Sequence, residues 1–297
     1  MIRVPVLLPG RRHDIVIGPG VLADAPRHIA AATPARQLLI IADARVWTRH
    51  GRAIRKTLAD PFHSTVVQVA PGEARKTLRQ AEILYRACQD HRLGRDGAIV
   101  AVGGGMIGDL AGFVAATWQR GVDLIMMPTS LLAQVDSSVG GKVAVNVGGV
   151  KNLVGAFHQP RLILADTTWL GTLPLRERRS GLAEVVKYAM IADRRLFEQL
   201  ERVGAALLQS SDTQLESIVA TCTRIKARIV VKDERESGER VLLNYGHTIG
   251  HAFEAAAAGR LRHGEAIALG MRGCRTPGGG AGVAFSMRPR PAGFAPG

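Results

Sequence analysis

Long hydrophobic runs are missing from this chain. No stretch approaches the roughly 18 apolar residues of a spanning helix, although 46% of the 297 residues are hydrophobic, so no integral membrane protein is expected. No leader pattern is visible at the start of the sequence either. The short apolar run of MIRVPVLLPGRRHDIVIG is broken by Pro5 and Pro9, has no A-x-A-like site and passes straight into strand-like sequence, so we expect no signal peptide. Cysteine is scarce: Cys88, Cys222 and Cys274 are far apart, odd in number and form no C-x-x-C pair. That excludes a disulfide framework and a cysteine zinc site, and fits a reducing cytoplasm. Aromatic residues make up 4% of the chain, which leaves few platforms for stacking single-stranded bases. Acidic residues are outnumbered, 25 against 39 Lys and Arg, for a net charge of +14. The basic residues are scattered rather than gathered into one helix or tail. No nucleic-acid partner is therefore expected, and an Arg-rich composition together with an anionic substrate accounts for the excess.

What is present is ordinary globular sequence, 22% charged, of a length that fits one large domain or two average ones. Short β-branched runs alternate with helical stretches in the first half. QLLIIADARV (37–46) predicts a strand ending in a loop at Asp43, and STVVQVAPGE (64–73) a second strand and turn. TLRQAEILYRACQDHRL (77–93) has helical spacing, DGAIVAVGGG (96–105) is a strand running into glycines, MIGDLAGFVAATWQRG (106–121) a helix and VDLIMMPTS (122–130) a fourth strand. Strand–helix alternation predicts a parallel, doubly wound α/β sheet. From about residue 167 the periodicity is helical. We therefore expect a Rossmann-like α/β domain over 1–166 and a mostly helical domain over 167–272, with a site between them. Seven glycines and four prolines without an acidic residue fill 273–297, which predicts a disordered tail.

Several constellations carry chemistry. Gly103, Gly104 and Gly105 follow a strand and open a helix, an arrangement that lets backbone approach a pyrophosphate. The segment PTSLLAQVDSSVGGKVAVNVGGVKNLVGAFHQP (128–160) holds Thr129, Ser130, Asp136, Gly140-Gly141-Lys142 and Lys151-Asn152. Lysines beside glycine-rich backbone suit phosphate or carboxylate groups, and the interleaved apolar residues predict a buried, ordered segment. His247 and His251 stand four apart on one helix face, and His263 opens another helix. Glu184 shares a helix face with Lys187. Two histidines and a carboxylate leave an open position on Zn²⁺, and spacing alone leaves open which two of the three histidines bind. Lys226 and Arg240, with Lys142, Lys151 and Lys187, form a cationic set from separate elements; KDERESGER after Lys226 reads as a charged, solvated turn.

PGEARK (71–76), GGGMIGDLAGFVAATWQRG (103–121), PTSLLAQVDSSVGGK (128–142), KNLVGAFHQP (151–160), GLAEVVKYA (181–189), LNYGHTIGHAFE (243–254) and HGEAIALGM (263–271) occur in this order. Over about Val4 to Met271 the chain thereby resembles the 3-dehydroquinate synthases of the sugar phosphate cyclase superfamily. The resemblance implies an NAD-binding α/β domain and a helical metal domain. It implies that NAD contacts Asp43, Gly72, Glu73, Lys76, Gly104, Gly105, Met106, Asp109, Thr129, Ser130, Lys142, Lys151, Trp169 and Thr172. It assigns Zn²⁺ or Co²⁺, which suit the same donors, to Glu184, His247 and His263, and makes His251 a substrate-side residue. Lys187, Lys226, Arg240, Asn244 and Asn152, with Lys142 and Asp136, would serve the substrate and its chemistry.

The implied reaction converts 3-deoxy-D-arabino-heptulosonate 7-phosphate to 3-dehydroquinate and phosphate in the shikimate pathway, by transient oxidation with NAD, phosphate elimination, reduction and an intramolecular aldol closure. The motif positions where other cyclases of the superfamily are expected to change, the GGK, Arg240, Asn244 and His251, hold dehydroquinate-type residues here. Glycerol and iron-type alcohol dehydrogenases, with the same fold, look unlike PTSLLAQVDSSVGGK. A cytoplasmic homodimer follows by family analogy. Two departures stand out. Asn146-Val-Gly-Gly-Val150 replaces the family's usual Asn-His-Pro-x-Gly, and the Gly/Pro tail stands where the family continues with further helices and a late lysine. The second departure predicts a less stable helical domain, and sets an inactive, truncated family member that still binds NAD beside the active enzyme.

Overall fold

The computed structural model describes residues 1–204, 207, 212–257 and 259–273. Seven strands form one sheet in the order β1-β2-β9-β6-β5-β3-β4: β1 (Ile2–Leu8), β2 (Arg11–Gly18), β3 (Gln37–Asp43), β4 (His63–Val69), β5 (Ala98–Gly103), β6 (Asp123–Pro128) and β9 (Leu162–Asp166). β1 pairs antiparallel with β2 as an edge hairpin; every other pairing in this sheet is parallel. A separate two-stranded ribbon joins β7 (Lys142–Val147) to β8 (Val150–Phe157).

The central strands read as continuous apolar runs because both faces are covered. Side chains alternate between two cores as the pleat requires. Ile15, Leu39, Ile41, Ile99 and Ile163 enter one, and Val16, Ile40, Val100 and Leu164 the other. The second core is closed by α1 (Ala25–Ala32) and α2 (Ala44–Ala59) through Ile29, Ile54 and Leu58. Asp43 ends β3 by turning into the N-cap of α2, where its side chain accepts from the Arg45 and Val46 amides. The first core is closed by α3 (Leu78–Asp90) and α4 (Gly105–Thr117), and also by α7 (Asp212–Lys232), whose Ile218, Val219 and Cys222 belong to the cluster of Val4 and Ile15. Among the described residues the last strand ends at Asp166. Beyond it run α5 (Leu175–Ala192), α6 (Arg194–Val203), α7, α8 (His247–Ala256) and α9 (His263–Gly273).

Two expectations change. The 128–160 segment is not buried throughout. β7 buries Val143 and Val145 against α4, but β8 stands off the sheet, with Val150 51% and Leu153 60% exposed. β-branched residues there serve ribbon pairing rather than a core. Gly273, counted with the tail by composition, is the last residue of α9; the expectation of disorder from 274 onward, and Cys274, lie outside the described residues. Among the described residues no helix is long and apolar enough to cross a membrane.

Candidate active site

Parallel strands deliver their carboxyl ends to one edge of the sheet, and ligands settle there where the strand order reverses. Here β4 lies on one side of β3 and β5 on the other, so Asp43 and Gly103 flank that point. Gly104 is the N-cap of α4, and a Cβ on Gly105 would lie 2.8 Å from Ser137 Oγ, which keeps this turn to bare backbone. Thr129, buried, follows β6 and donates its amide to the Gly103 carbonyl at 2.9 Å; Ser130 comes next, its hydroxyl 3.4 Å from where a Gly104 Cβ would stand. Met106, half-buried, packs on the adjoining core. After β4, Gly72 takes φ 113°, a conformation that favours glycine, and starts the short turn of Glu73 to Arg75. Lys76, 4% exposed, pairs with Asp109 Oδ2 at 2.8 Å and Glu73 Oε1 at 3.2 Å. Burial opposes its charge, but the two carboxylates outweigh that and hold the ammonium above its ordinary range. Burial also pushes the Asp109 carboxyl up to about 6. Asn152, expected on the substrate side, accepts from Lys76 and so also touches this cluster. Trp169 and Thr172 sit farther out, held to α2 by His50 Nε2 to Thr172 Oγ1 at 3.0 Å and a His50–Trp169 ring contact.

A second group lies on the helical side. Asp136 occupies a π-helical turn, Ala133–Ser137, a geometry frequent at functional positions. Lys226 Nζ from α7 donates to its Oδ1, the Tyr188 hydroxyl from α5 donates to the same oxygen, and Lys187 Nζ lies 3.9 Å off. Burial pushes the Asp136 carboxyl up, but Lys226 and then Lys187 outweigh it and hold the carboxyl below the usual carboxylate range. Lys187 also pairs with Glu184, one turn back on α5; both are almost fully buried.

Glu184 meets two imidazoles. Its Oε1 lies 3.7 Å from His247 Nε2 and 3.5 Å from His263 Nε2, and donor atoms of the three residues all fall within 4.8 Å of one another. His247 Nδ1 faces the Tyr245 carbonyl at 3.2 Å, which leaves Nε2 free to ligate. Glu184 Oε1 is buried and has no hydrogen-bond partner among the described residues, and a buried carboxylate oxygen left so is costly unless a cation completes it. The set therefore fits a divalent ion of the zinc type. His251 stands 5.3 Å from the His247 ring and groups with Glu254 and His263 in a second, more exposed triple.

Glycine sets the spacing of the helices. A Cβ on Gly270 of α9 would lie 2.0 Å from the Gly246 carbonyl oxygen before α8, and one on Gly264 would lie 1.9 Å from the Ser180 carbonyl oxygen of α5. Only a hydrogen fits at either contact, so α9 is seated backbone to backbone.

The remaining cations are already partnered, by groups that the sequence pattern did not single out. Lys142 pairs with Glu236, and Asn244 Nδ2 donates to Glu236 Oε1 at 2.9 Å. Lys151 donates to Glu254 Oε1 at 2.6 Å. Arg240, 2% exposed, donates to the carbonyls of Gly140 and Glu234. Asp233 folds the KDERESGER turn by accepting from the Ser237, Gly238 and Arg240 amides, so this segment is a built loop rather than a solvated run. Glu236, Glu254, Tyr188 and Asp233 look like common surface or core residues in sequence. The one available signal was that Glu254 falls on the His247–His251 helical face.

Comparison with known proteins finds matches along both parts of the chain. Residues 66–180 match the family model of the 3-dehydroquinate synthase N-terminal region and 181–276 that of its C-terminal region. A 3-dehydroquinate synthase of Desulforamulus reducens is 45% identical over 270 residues, which cover 90% of this chain and 75% of that protein. A crystal structure of 2-deoxy-scyllo-inosose synthase with carbaglucose-6-phosphate, NAD⁺ and Co²⁺ superposes with a TM-score of 0.85 at 33% identity, covering 91% of this chain and 73% of the other. The 2-epi-5-epi-valiolone synthase of Streptomyces hygroscopicus subsp. jinggangensis, with NAD⁺ and Zn²⁺, gives 0.81 at 28% identity, with 89% and 74% covered. With both family models matched in order along a doubly wound sheet that leads into metal-type helices, the chain belongs to the 3-dehydroquinate synthase family.

Proposed function

We propose that this chain converts 3-deoxy-D-arabino-heptulosonate 7-phosphate to 3-dehydroquinate and phosphate, using NAD and Zn²⁺ or Co²⁺. The observation that carries the reading is the convergence of Glu184, His247 and His263 donors within 4.8 Å, beside the buried Asp136–Lys187–Lys226 cluster. Residues 1–166 form the NAD-binding part and 167–272 the metal and substrate part. They share a core, so the site between them is held from both sides.

When bound, NAD supplies reversible hydride acceptance and the metal supplies Lewis acidity toward a substrate hydroxyl. The chain supplies position. Asp43, Gly72, Glu73, Lys76, Gly104, Gly105, Met106, Asp109, Thr129, Ser130, Lys142, Lys151, Trp169 and Thr172 hold the dinucleotide along the strand ends. Lys187, Lys226, Arg240, Asn244, His251 and Asn152 bind the substrate's carboxylate, hydroxyls and phosphate, and Asp136 holds the two buried lysines in place. Fixing one anionic molecule against both groups supplies the entropic part of catalysis. The substrate is a small sugar phosphate rather than nucleic acid. We place the enzyme in the cytoplasm, which the free buried thiols of Cys88 and Cys222 support, and read it as a homodimer.

Phosphate release from 3-deoxy-D-arabino-heptulosonate 7-phosphate by the purified chain, with NAD⁺ and Zn²⁺, tests this. Turnover that requires both and accumulates no NADH is expected. No release from protein that still binds NAD⁺ and zinc would overturn it.

A further inference from the structure

On the metal assignment just given, we propose that Glu254 is a positioning residue that aligns His263 with the metal centre and Lys151 with the cofactor side at once. His247, His251 and Glu254 stand at i, i+4 and i+7 of α8 and therefore share one face. Yet Glu254 does not point to solvent as a lone helix carboxylate would; its side chain is 17% exposed. Its two oxygens go to different elements. Oε1 accepts from Lys151 Nζ at 2.6 Å, and Oε2 faces His263 Nδ1 at 3.4 Å.

A histidine that ligates through Nε2 is oriented by what its Nδ1–H meets. For His247 that group is the Tyr245 carbonyl. For His263 it is Glu254, with the difference that Glu254 is itself anchored by an ammonium 103 residues away in sequence. Lys151, itself 54% exposed, projects from β8, a strand whose side chains are nearly all exposed, so this ion pair fastens the ribbon to the metal helix. The pair is not a decorative surface bridge of the kind worth little on its own, because its carboxylate has a second task. One side chain thus sets the distance between the residue that would meet the dinucleotide and a ligand of the metal.

The test uses the full chain as wild type, Glu254→Ala, Glu254→Gln and Lys151→Met. Zinc affinity is measured by competition with a chromophoric chelator, and ligand geometry by the visible spectrum of the Co²⁺-loaded protein. Glu254→Ala is expected to weaken zinc binding by about 10- to 100-fold, to alter the Co²⁺ bands and to weaken NAD⁺ binding. Glu254→Gln, nearly isosteric, keeps an acceptor for Nδ1 and is expected to fall between; it also carries the test if the alanine variant fails to fold. Lys151→Met is expected to weaken NAD⁺ binding and leave zinc affinity unchanged. Unaltered zinc affinity and Co²⁺ spectrum in both Glu254 variants would overturn the assignment, as would an equal loss of zinc in Lys151→Met, which would make the contact a simple ribbon dock. A wild-type chain that binds no zinc would instead remove the metal assignment itself, and this proposal with it.

Discussion

Lys226 Nζ lies 2.7 Å from Asp136 Oδ1 and 2.8 Å from the Asp136 carbonyl oxygen, so one ammonium from α7 clamps both the side chain and the backbone of the π-helical turn. That turn is therefore shaped by an ion pair across 90 residues rather than by local preference. Asp136→Asn keeps the shape and removes the charge, leaving Lys226 buried without its counter-ion. Breaking one partner of a buried pair costs about 3–5 kcal/mol. Urea denaturation of the variant is expected to show a loss of that order; a change within the error of the fit would mean that solvent reaches the pair.

The backbone contact between α8 and α9 makes a sharper prediction. Gly270→Ala must push the helices apart to clear the Gly246 carbonyl. Overpacking of this kind costs about 1–3 kcal/mol, but the larger effect is expected on the metal, because His247 and His263 ride on the two helices being separated. Expressed as free energies, the loss of zinc affinity measured by chelator competition is expected to exceed the loss of stability measured by urea denaturation.

Acid stability is expected to depend on His13. The residue sits on β2, 4% exposed, its Nε2 has no hydrogen-bond partner among the described residues, and burial lowers its pKa to about 4. In the unfolded chain a histidine takes up its proton near pH 6.5. Between pH 6.5 and 4 the unfolded state therefore binds a proton that the folded state refuses, and stability falls as pH drops through that window; above it the contribution is complete. The loss is at most about 3 kcal/mol. Urea midpoints taken at several pH values across the window are expected to fall in the wild type and to fall less in His13→Leu.

Removing the metal is expected to separate the two halves of the site. Dialysis against a chelator is expected to abolish phosphate release while NAD⁺ binding persists, since Asp43, Gly104 and Thr129 come from the strand ends and Glu184, His247 and His263 from α5, α8 and α9. Added Zn²⁺ or Co²⁺ is expected to restore turnover. Loss of NAD⁺ binding in the metal-free chain would show that the two halves are one unit.

Legibility in the sequence followed the range of the forces involved. The strands and helices of the sheet were plain because β3 and β5 are apolar on both faces and α3 has a stripe, both local patterns. Glu184, His247 and His263 were legible as chemistry, though spacing could not choose among the histidines; α9 docking on α5 and α8 through glycines brings His247 and His263 within reach of Glu184. The exposure of β8 was not legible, because Val150, Leu153 and Val154 look the same in a ribbon as in a core. Nor were the roles of Glu236, Glu254 and Asp233. A carboxylate's partner is decided by tertiary geometry, and in sequence these three resemble ordinary solvated charges. Arg240 was legible as a cation but not as one already bonded to two carbonyls.

The edge hairpin has a consequence for biosynthesis. β2 pairs in parallel with β9, Asp14 against Leu162 and Gly18 against Asp166. Of the strands in this sheet, the first two to be synthesised are thus completed by the last, and at about 5–20 residues per second the wait is on the order of ten seconds. Through that time Ile15, Val16 and Ile17 have no partner on that side, and they form the kind of β-branched segment that invites pairing with another chain. Nascent chains stalled before residue 162 are the species in which chaperone dependence should be greatest.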